Sequence, residues 1–452
     1  MKITLSGKHN LLMLPVLFLL LMISISQPAV AQTAFIGAEI RPRFEVQYGY
    51  RFPPDTSSTP QILVTQRTRL NAGFNSERFN AYISIQDARI WGDEVLVSDV
   101  PSFGMHEAWG QYNFTKHVGL KVGRQEFAYD NKRMLTDGAW IQIGRAYDAA
   151  TLKVNLGQGW KMDVAGSYNQ QVNNYFGTFY NLNNPKTLDF IWLNKSKVDS
   201  NYKYSATLMA MGDGYQTPDT TGVYMRYTYG VNTSFDHHKW GINLEAYGQS
   251  GKTRAINQSG NIVPDSFQTV KAYMFSVNPW LQVTSSFRAG IGIDYLSGSD
   301  ALRDSSEGGT TNMFNFQYGA AHRFYGKMDI FFNLPQGTRN AGLVDAYLNA
   351  KYTYKKWDFN GEFHRFHLQN NVEDVENPGE ALDKFLGSEL DIIVTRELSK
   401  EVNLNTGFCL FFPTRSLEFV KTATFSQIGS PTVTGAWFYV MLTFKPTFFL
   451  KS

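Results

Sequence analysis

The chain has 452 residues, 15% of them aromatic (34 Phe, 24 Tyr, 9 Trp), yet its mean hydropathy is −0.28. Its 42 Lys and Arg nearly balance 39 Asp and Glu, which excludes the basic surplus of a nucleic-acid binder. Cys409 is the only cysteine, so no internal disulfide can hold the fold together.

The N-terminus is set apart. Lys2 and Lys8 accompany an almost unbroken apolar run, Leu11 to Ile25, and Ala29-Val30-Ala31 then gives the small-x-small pattern that signal peptidase cuts. The run is short and wrongly flanked for a stable span, so residues 1–31 are expected to be a signal peptide, with an N-terminal anchor as the competing reading. Cleavage leaves Gln32 first, takes Lys2 and Lys8 from the 42 basic residues and removes no acid, so the remainder is close to neutral. Beyond residue 31 no apolar stretch approaches the roughly 18 residues that a membrane helix needs.

The chain beyond the leader alternates with period two. From Ile36 to Tyr48, Glu39, Arg41, Arg43, Glu45 and Gln47 share one face, and Ile40, Phe44, Val46 and Tyr48 the other. After the loop Phe52-Pro53-Pro54-Asp55, the segment Ile62 to Phe74 sets Arg67, Arg69 and Asn71 against Leu70, Ala72 and Phe74. The same grammar returns with Asn243 and Glu245, with Glu362 and His364, and with Glu389 and Asp391, each interleaved with apolar residues. Such segments read as strands between a wet and a greasy face.

Short connections are expected at 75–77, 115–116, 157–159, 236–238, 355–356 and 398–400. Longer polar ones fall near 92–104, 128–140, 172–186, 251–266, 299–312, 370–384 and 414–432. The count comes to about eighteen strands, an even number that returns both termini to the periplasmic side. The fold class is therefore an all-β, antiparallel, up-and-down transmembrane barrel, with residues 32–452 as its single domain. A soluble sandwich would alternate similarly, but at this length it should divide into domains, and no linker is visible. Tyr48, Tyr50, Phe74, Phe79, Tyr112, Phe114, Trp160, Trp240, Trp280 and Trp357 cluster near strand ends, as interfacial girdles require.

The densest motifs lie between residues 87 and 148: Asp87-Ala88-Arg89, Gly123-Arg124-Gln125, Arg133, Trp140 and Gly144-Arg145-Ala146-Tyr147-Asp148. This ordered set, together with Ala321-His322-Arg323-Phe324-Tyr325-Gly326-Lys327-Met328-Asp329, resembles the alginate export family of outer-membrane barrels. The resemblance implies eighteen strands around a lumen that is narrowed by loops and lined by arginines attracting a polyanionic uronate chain. It implies Arg124, Arg133 and Arg145 as lumen arginines, with Asp87, Arg89 and Asp148 as partners or neighbours. Arg41, Arg43, Arg67 and Arg69 join them from alternation alone. Planar, permanently charged guanidinium groups suit carboxylates. Alternation, however, puts Arg124 in phase with Leu120 and Val122, so a bulge near Gly123 is needed to turn it inward; Asp87 and Arg89 conflict likewise with Ser84 and Gln86. A wall network of paired charges bracing the barrel remains the alternative role for these residues.

Metal and cofactor are not expected. His364 and His367 point to opposite faces of one strand, His237-His238 sits in a turn, and Glu373-Asp374-Val375-Glu376 reads as exposed charge. The expected function is a porin-like outer-membrane channel for polar or anionic solutes, including an acidic saccharide. Outer-membrane lipid and periplasmic export or uptake components are its expected partners. A non-conducting receptor or structural barrel is the alternative; a membrane-embedded hydrolase lacks a nucleophile placed beside a base.

Overall fold

The computed structural model describes residues 32–94, 102–171, 173, 175, 185–216, 222–256, 262–302, 309–374, 376–422 and 433–451; the expected leader at 1–31 lies outside them. Eighteen antiparallel strands close into one barrel. They are β1 (Thr33–Tyr48), β2 (Gln61–Asn75), β3 (Phe79–Ile90), β4 (Gly104–Asn113), β5 (Val118–Gln125), β6 (Tyr147–Gly157), β7 (Trp160–Tyr168), β8 (Thr187–Val198) and β9 (Tyr202–Gln216). The circuit continues with β10 (Val223–His237), β11 (Trp240–Ile256), β12 (Ile262–Gln282), β13 (Phe287–Leu296), β14 (Leu343–Tyr354), β15 (Trp357–Leu368), β16 (Phe385–Glu397), β17 (Val402–Pro413) and β18 (Gly435–Phe444, resumed at Thr447–Lys451).

Each strand pairs with its sequence neighbours, and β18 returns to β1, with Tyr48 opposite Ala436 at one end and Ala34 opposite Lys451 at the other. Closure leaves no unpaired edge, the condition for a sheet in hydrocarbon. Both ends of the described chain lie at the rim of short turns, and the long connections lie at the other rim.

The two faces are inverted relative to a soluble protein. On β1, Ile36, Ile40 and Phe44 are about two-fifths exposed, while Glu39, Arg41, Arg43 and Glu45 are buried. Charges are covered because loops fold into the barrel over them, and the apolar positions face outward, where lipid takes them up. This inversion excludes the sandwich.

Three details depart from the sequence expectation. Of the loop expected at 251–266, residues 251–256 and 262–266 instead extend β11 and β12, whose 17 and 21 residues exceed the roughly 9–11 needed to span. The connection expected at 299–312 runs on to residue 342 and holds a two-residue strand Thr310–Thr311 parallel to β12, a 3-10 turn at Ala321–Arg323 and a one-turn helix at Leu334–Gly337. Tyr50 is no girdle residue: its hydroxyl donates to Asp329 inside the barrel and its ring lies 4.8 Å from that of Trp437. Phe79, Tyr112, Phe114, Trp160 and Trp240, by contrast, are exposed near the short-turn rim.

Candidate functional site

Two connections enter the lumen: residues 126–146, between β5 and β6, and, between β13 and β14, residues 309–342. They touch each other. Thr136 N donates to Tyr318 O and Ala320 N to Lys132 O, both at 3.0 Å, and Arg145 reaches Gln317 O at 3.4 Å. The wall grips the pair by two different chemistries.

On β1 and β2 the wall supplies arginines. Arg41 donates to Gln142 Oε1 (2.9 and 3.1 Å) and to the carbonyls of Ala139, Trp140 and Ile141 at 2.5, 3.2 and 3.1 Å. Arg43 pairs with Glu45 at 2.8 Å and donates to Trp140 O at 3.1 Å. Arg67 pairs with Glu39 and reaches Ile141 O at 3.4 Å. Arg69 meets Gln86 at 3.0 Å and Glu126 at 3.4 Å. Alternation places all four on the inner face; what it cannot show is that Arg41, Arg43 and Arg67 reach carbonyls of the inward loop.

On β11, β13, β15 and β16 the wall supplies carboxylates. Arg133, only 2% exposed, sits between Glu245 (3.1 Å) and Asp294 (2.8 Å) and also donates to Tyr325 OH at 2.7 Å. Burial alone would depress its pKa, but Asp294 and Glu245 outweigh that and hold it above the ordinary value. Met328 N donates to Glu389 Oε1 at 2.6 Å, and Lys327 Nζ pairs with Glu362 at 2.8 Å. Gly326, at φ +81°, passes so close to the Glu389 carboxylate that a side chain there would collide with it. A further anchor that the sequence reading missed is Tyr318, which donates to Asp213 at 3.1 Å beside the buried Arg226–Asp213 pair.

Between the loops lies a cavity of about 560 Å³ lined by Arg51, Lys132, Trp140, Arg145, His322 and Arg323, among others. Trp140 stacks on His322 at 4.0 Å and 8°, lies edge-on to Tyr439 at 5.1 Å, and carries the Arg43 guanidinium 4.3 Å over its ring. Lys132 is matched by Asp137 at 2.8 Å. Asp329 accepts from His322 at 2.9 Å; burial would raise its pKa, but His322 and the hydroxyl of Tyr50 hold it below the ordinary carboxylate range. Arg145 and Arg323 meet no carboxylate among the described residues, so the cavity keeps net positive charge.

Four of the expected lumen residues, Arg124, Asp148, Asp87 and Arg89, take the outward phase of their strands. The β4–β5 and β5–β6 ladders run through Gly123 without a register shift. The bulge needed to turn Arg124 inward is absent there; Gly123 takes φ +125° but keeps the pairing. Arg124 therefore keeps the outward phase of Val122 and pairs with Asp148 at 2.9 Å, at the long-loop rim. Asp87 and Arg89 stand opposite Thr68 and Gln66, on the outward phase of Leu70, and pair with each other at 2.6 Å. The one shift in this part of β3, at Ser84/Ile85, lies on the β4 side and leaves the β2 register intact.

The family described as alginate export matches residues 33–427. No curated protein matches the sequence. Among solved structures the chain is similar to OccAB4 of Acinetobacter baumannii (TM-score 0.58, 9% identity, 92% of this chain and 98% of that one) and to OpdL of Pseudomonas aeruginosa (0.57, 10%, 92% and 99%). It is similar also to the outer membrane protein OpdK of Pseudomonas aeruginosa, at TM-score 0.53 and 8% identity over 92% of this chain and 99% of that one. Identities this low speak to architecture alone.

Proposed function

The chain belongs to the alginate export family, and from that premise we propose that its lumen selects and passes an acidic saccharide through the cationic cavity between the two inward loops. Family and fold place it in the outer membrane as a porin-like channel for solutes rather than an enzyme.

The observation that carries the finer reading is the composition of the cavity. The stacked Trp140 and His322 both line the cavity, and Arg145 and Arg323 offer charges not already neutralised by the wall. A fixed positive charge in a low-dielectric wall concentrates anions at the constriction. Arg133 does not take part, because its donors are already committed to Glu245 and Asp294. Arg41, Arg43 and Arg67 act one step removed, holding the backbone that presents Trp140.

Planar-bilayer recording tests this. Wild-type barrel should favour anions, and short uronate oligomers should block its current at concentrations where neutral oligosaccharides do not. Arg145→Glu combined with Arg323→Glu should shift the reversal potential toward cations and abolish the block. An unchanged potential and block would overturn the reading. The leader belongs to the same proposal: the exported protein should begin at Gln32, which N-terminal sequencing checks.

A further inference from the structure

We propose that Glu362, His364 and Asp391 form a binding site for a first-row divalent transition-metal ion, of the zinc class, on the inner wall, with Asp345 orienting the imidazole.

The three residues lie on the inward faces of β15 and β16, where Glu362 and Asp391 are directly paired and His364 is paired with Glu389. Like charges opposite one another destabilise a ladder, and Asp345 on β14 adds another carboxylate. Lys327 answers one of them, through Glu362.

The imidazole points to what else belongs here. His364 Nδ1 lies 2.9 and 3.0 Å from the two oxygens of Asp345, which places a proton on Nδ1 and turns Nε2 toward the cluster. His364 is 3% exposed, and its Nε2 has no hydrogen-bond partner among the described residues. That nitrogen faces Glu362 Oε2 at 3.7 Å and Asp391 Oδ2 at 3.9 Å. Asp391 Oδ1 and Glu389 Oε2 are buried and unpartnered as well. An Nε2 lone pair aimed at carboxylate oxygens is repulsive unless a proton or a metal cation stands between them.

The spacing suits one. Ligands about 2.1 Å from a tetrahedral ion lie about 3.4 Å from each other, and the three donor atoms already lie within 4.8 Å of one another, so side-chain movement would bring them into range as three of its ligands. A carboxylate on the far nitrogen is the usual support of a metal-bound histidine. An imidazole with two carboxylates suits zinc and its first-row neighbours better than magnesium or calcium. Cys409, buried and paired with Asp391 across the ladder, adds a soft donor within the same patch.

Metal binding here is independent of the solute, and metal content tests it directly. Untagged full-length barrel would be purified in detergent, stripped with chelator, dialysed against buffered zinc and analysed by mass spectrometry. The work would use a His237→Ser/His238→Ser background, so that the exposed tandem histidine cannot contribute. About one zinc per folded barrel is expected, falling to background in His364→Gln and retained in Glu373→Gln, with heat-modifiable electrophoretic mobility reporting closure. Cobalt should give ligand-field absorption bands that zinc displaces. A folded His237→Ser/His238→Ser barrel that retains no zinc overturns the proposal, whatever His364→Gln does; so does zinc retained equally by His364→Gln. Either result would leave a protonated imidazole as the cation of the cluster.

Discussion

The two arcs of wall that hold the inward loops work by opposite rules. β1 and β2 are basic and read the backbone of residues 139–141 through its carbonyls. β11, β13, β15 and β16 are acidic and read individual loop groups: the Arg133 guanidinium, the Lys327 ammonium, the Met328 amide. A grip on carbonyls tolerates change in the loop sequence, since every residue supplies one. A grip on Arg133 depends on that residue alone, and it covers two carboxylates that are costly when left bare.

The largest effect should therefore come from Arg133→Ala. It strands Glu245 and Asp294 in the interior, and removing one partner of a buried ion pair costs about 3–5 kcal/mol. The loop at 126–146 should undock, seen as new protease cleavage there and higher conductance in an intact barrel. Arg41→Ala should do less, about 2 kcal/mol for the charge-assisted bonds lost, with Arg41→Lys restoring only part because an ammonium cannot span the same acceptors. If Arg41→Ala undocks the loop as fully as Arg133→Ala, the division into two arcs fails.

A third, smaller effect involves a cation that neither arc matches. Lys421, on the helix Arg415–Thr422 after β17, donates to Ile330 O and meets no carboxylate among the described residues. Burial pushes its pKa from 10.5 down to about 7. The docked helix then holds fewer protons than the undocked one between those values, so docking should strengthen as pH rises from about 7 toward 10.5 and stay level below 7. Lys421→Met should abolish that slope, measured as protease resistance of the 414–434 connection against pH. The smallest effect is expected from Arg124→Ala: its pair with Asp148 is 40% and 66% exposed, contributing no more than about 1 kcal/mol, and conductance should not change.

Alternation along single strands was enough to place Arg41, Arg43, Arg67, Arg69, Glu245, Glu389 and Asp391 on the inner face, because a two-residue period is a local property of the chain. It also put Arg124, Asp87 and Arg89 on the outer face, and there the structure sides with alternation over the motif resemblance. The partners of Arg133 were not legible. Glu245, Asp294 and Tyr325 lie 112, 161 and 192 residues away, and nothing in the loop sequence says which wall it will reach. The same holds for His364: its phase was readable, but its meeting with Asp391 depends on the β15–β16 register, which only the closed sheet sets.

The hydrogen bonds joining residues 132–136 to 318–320 make the two inward segments one mechanical body. Displacing either must break those links or drag the other along, although each is tethered to a different stretch of wall. A single barrel watched over time should accordingly flicker between two current levels, with no third step for one segment moving alone.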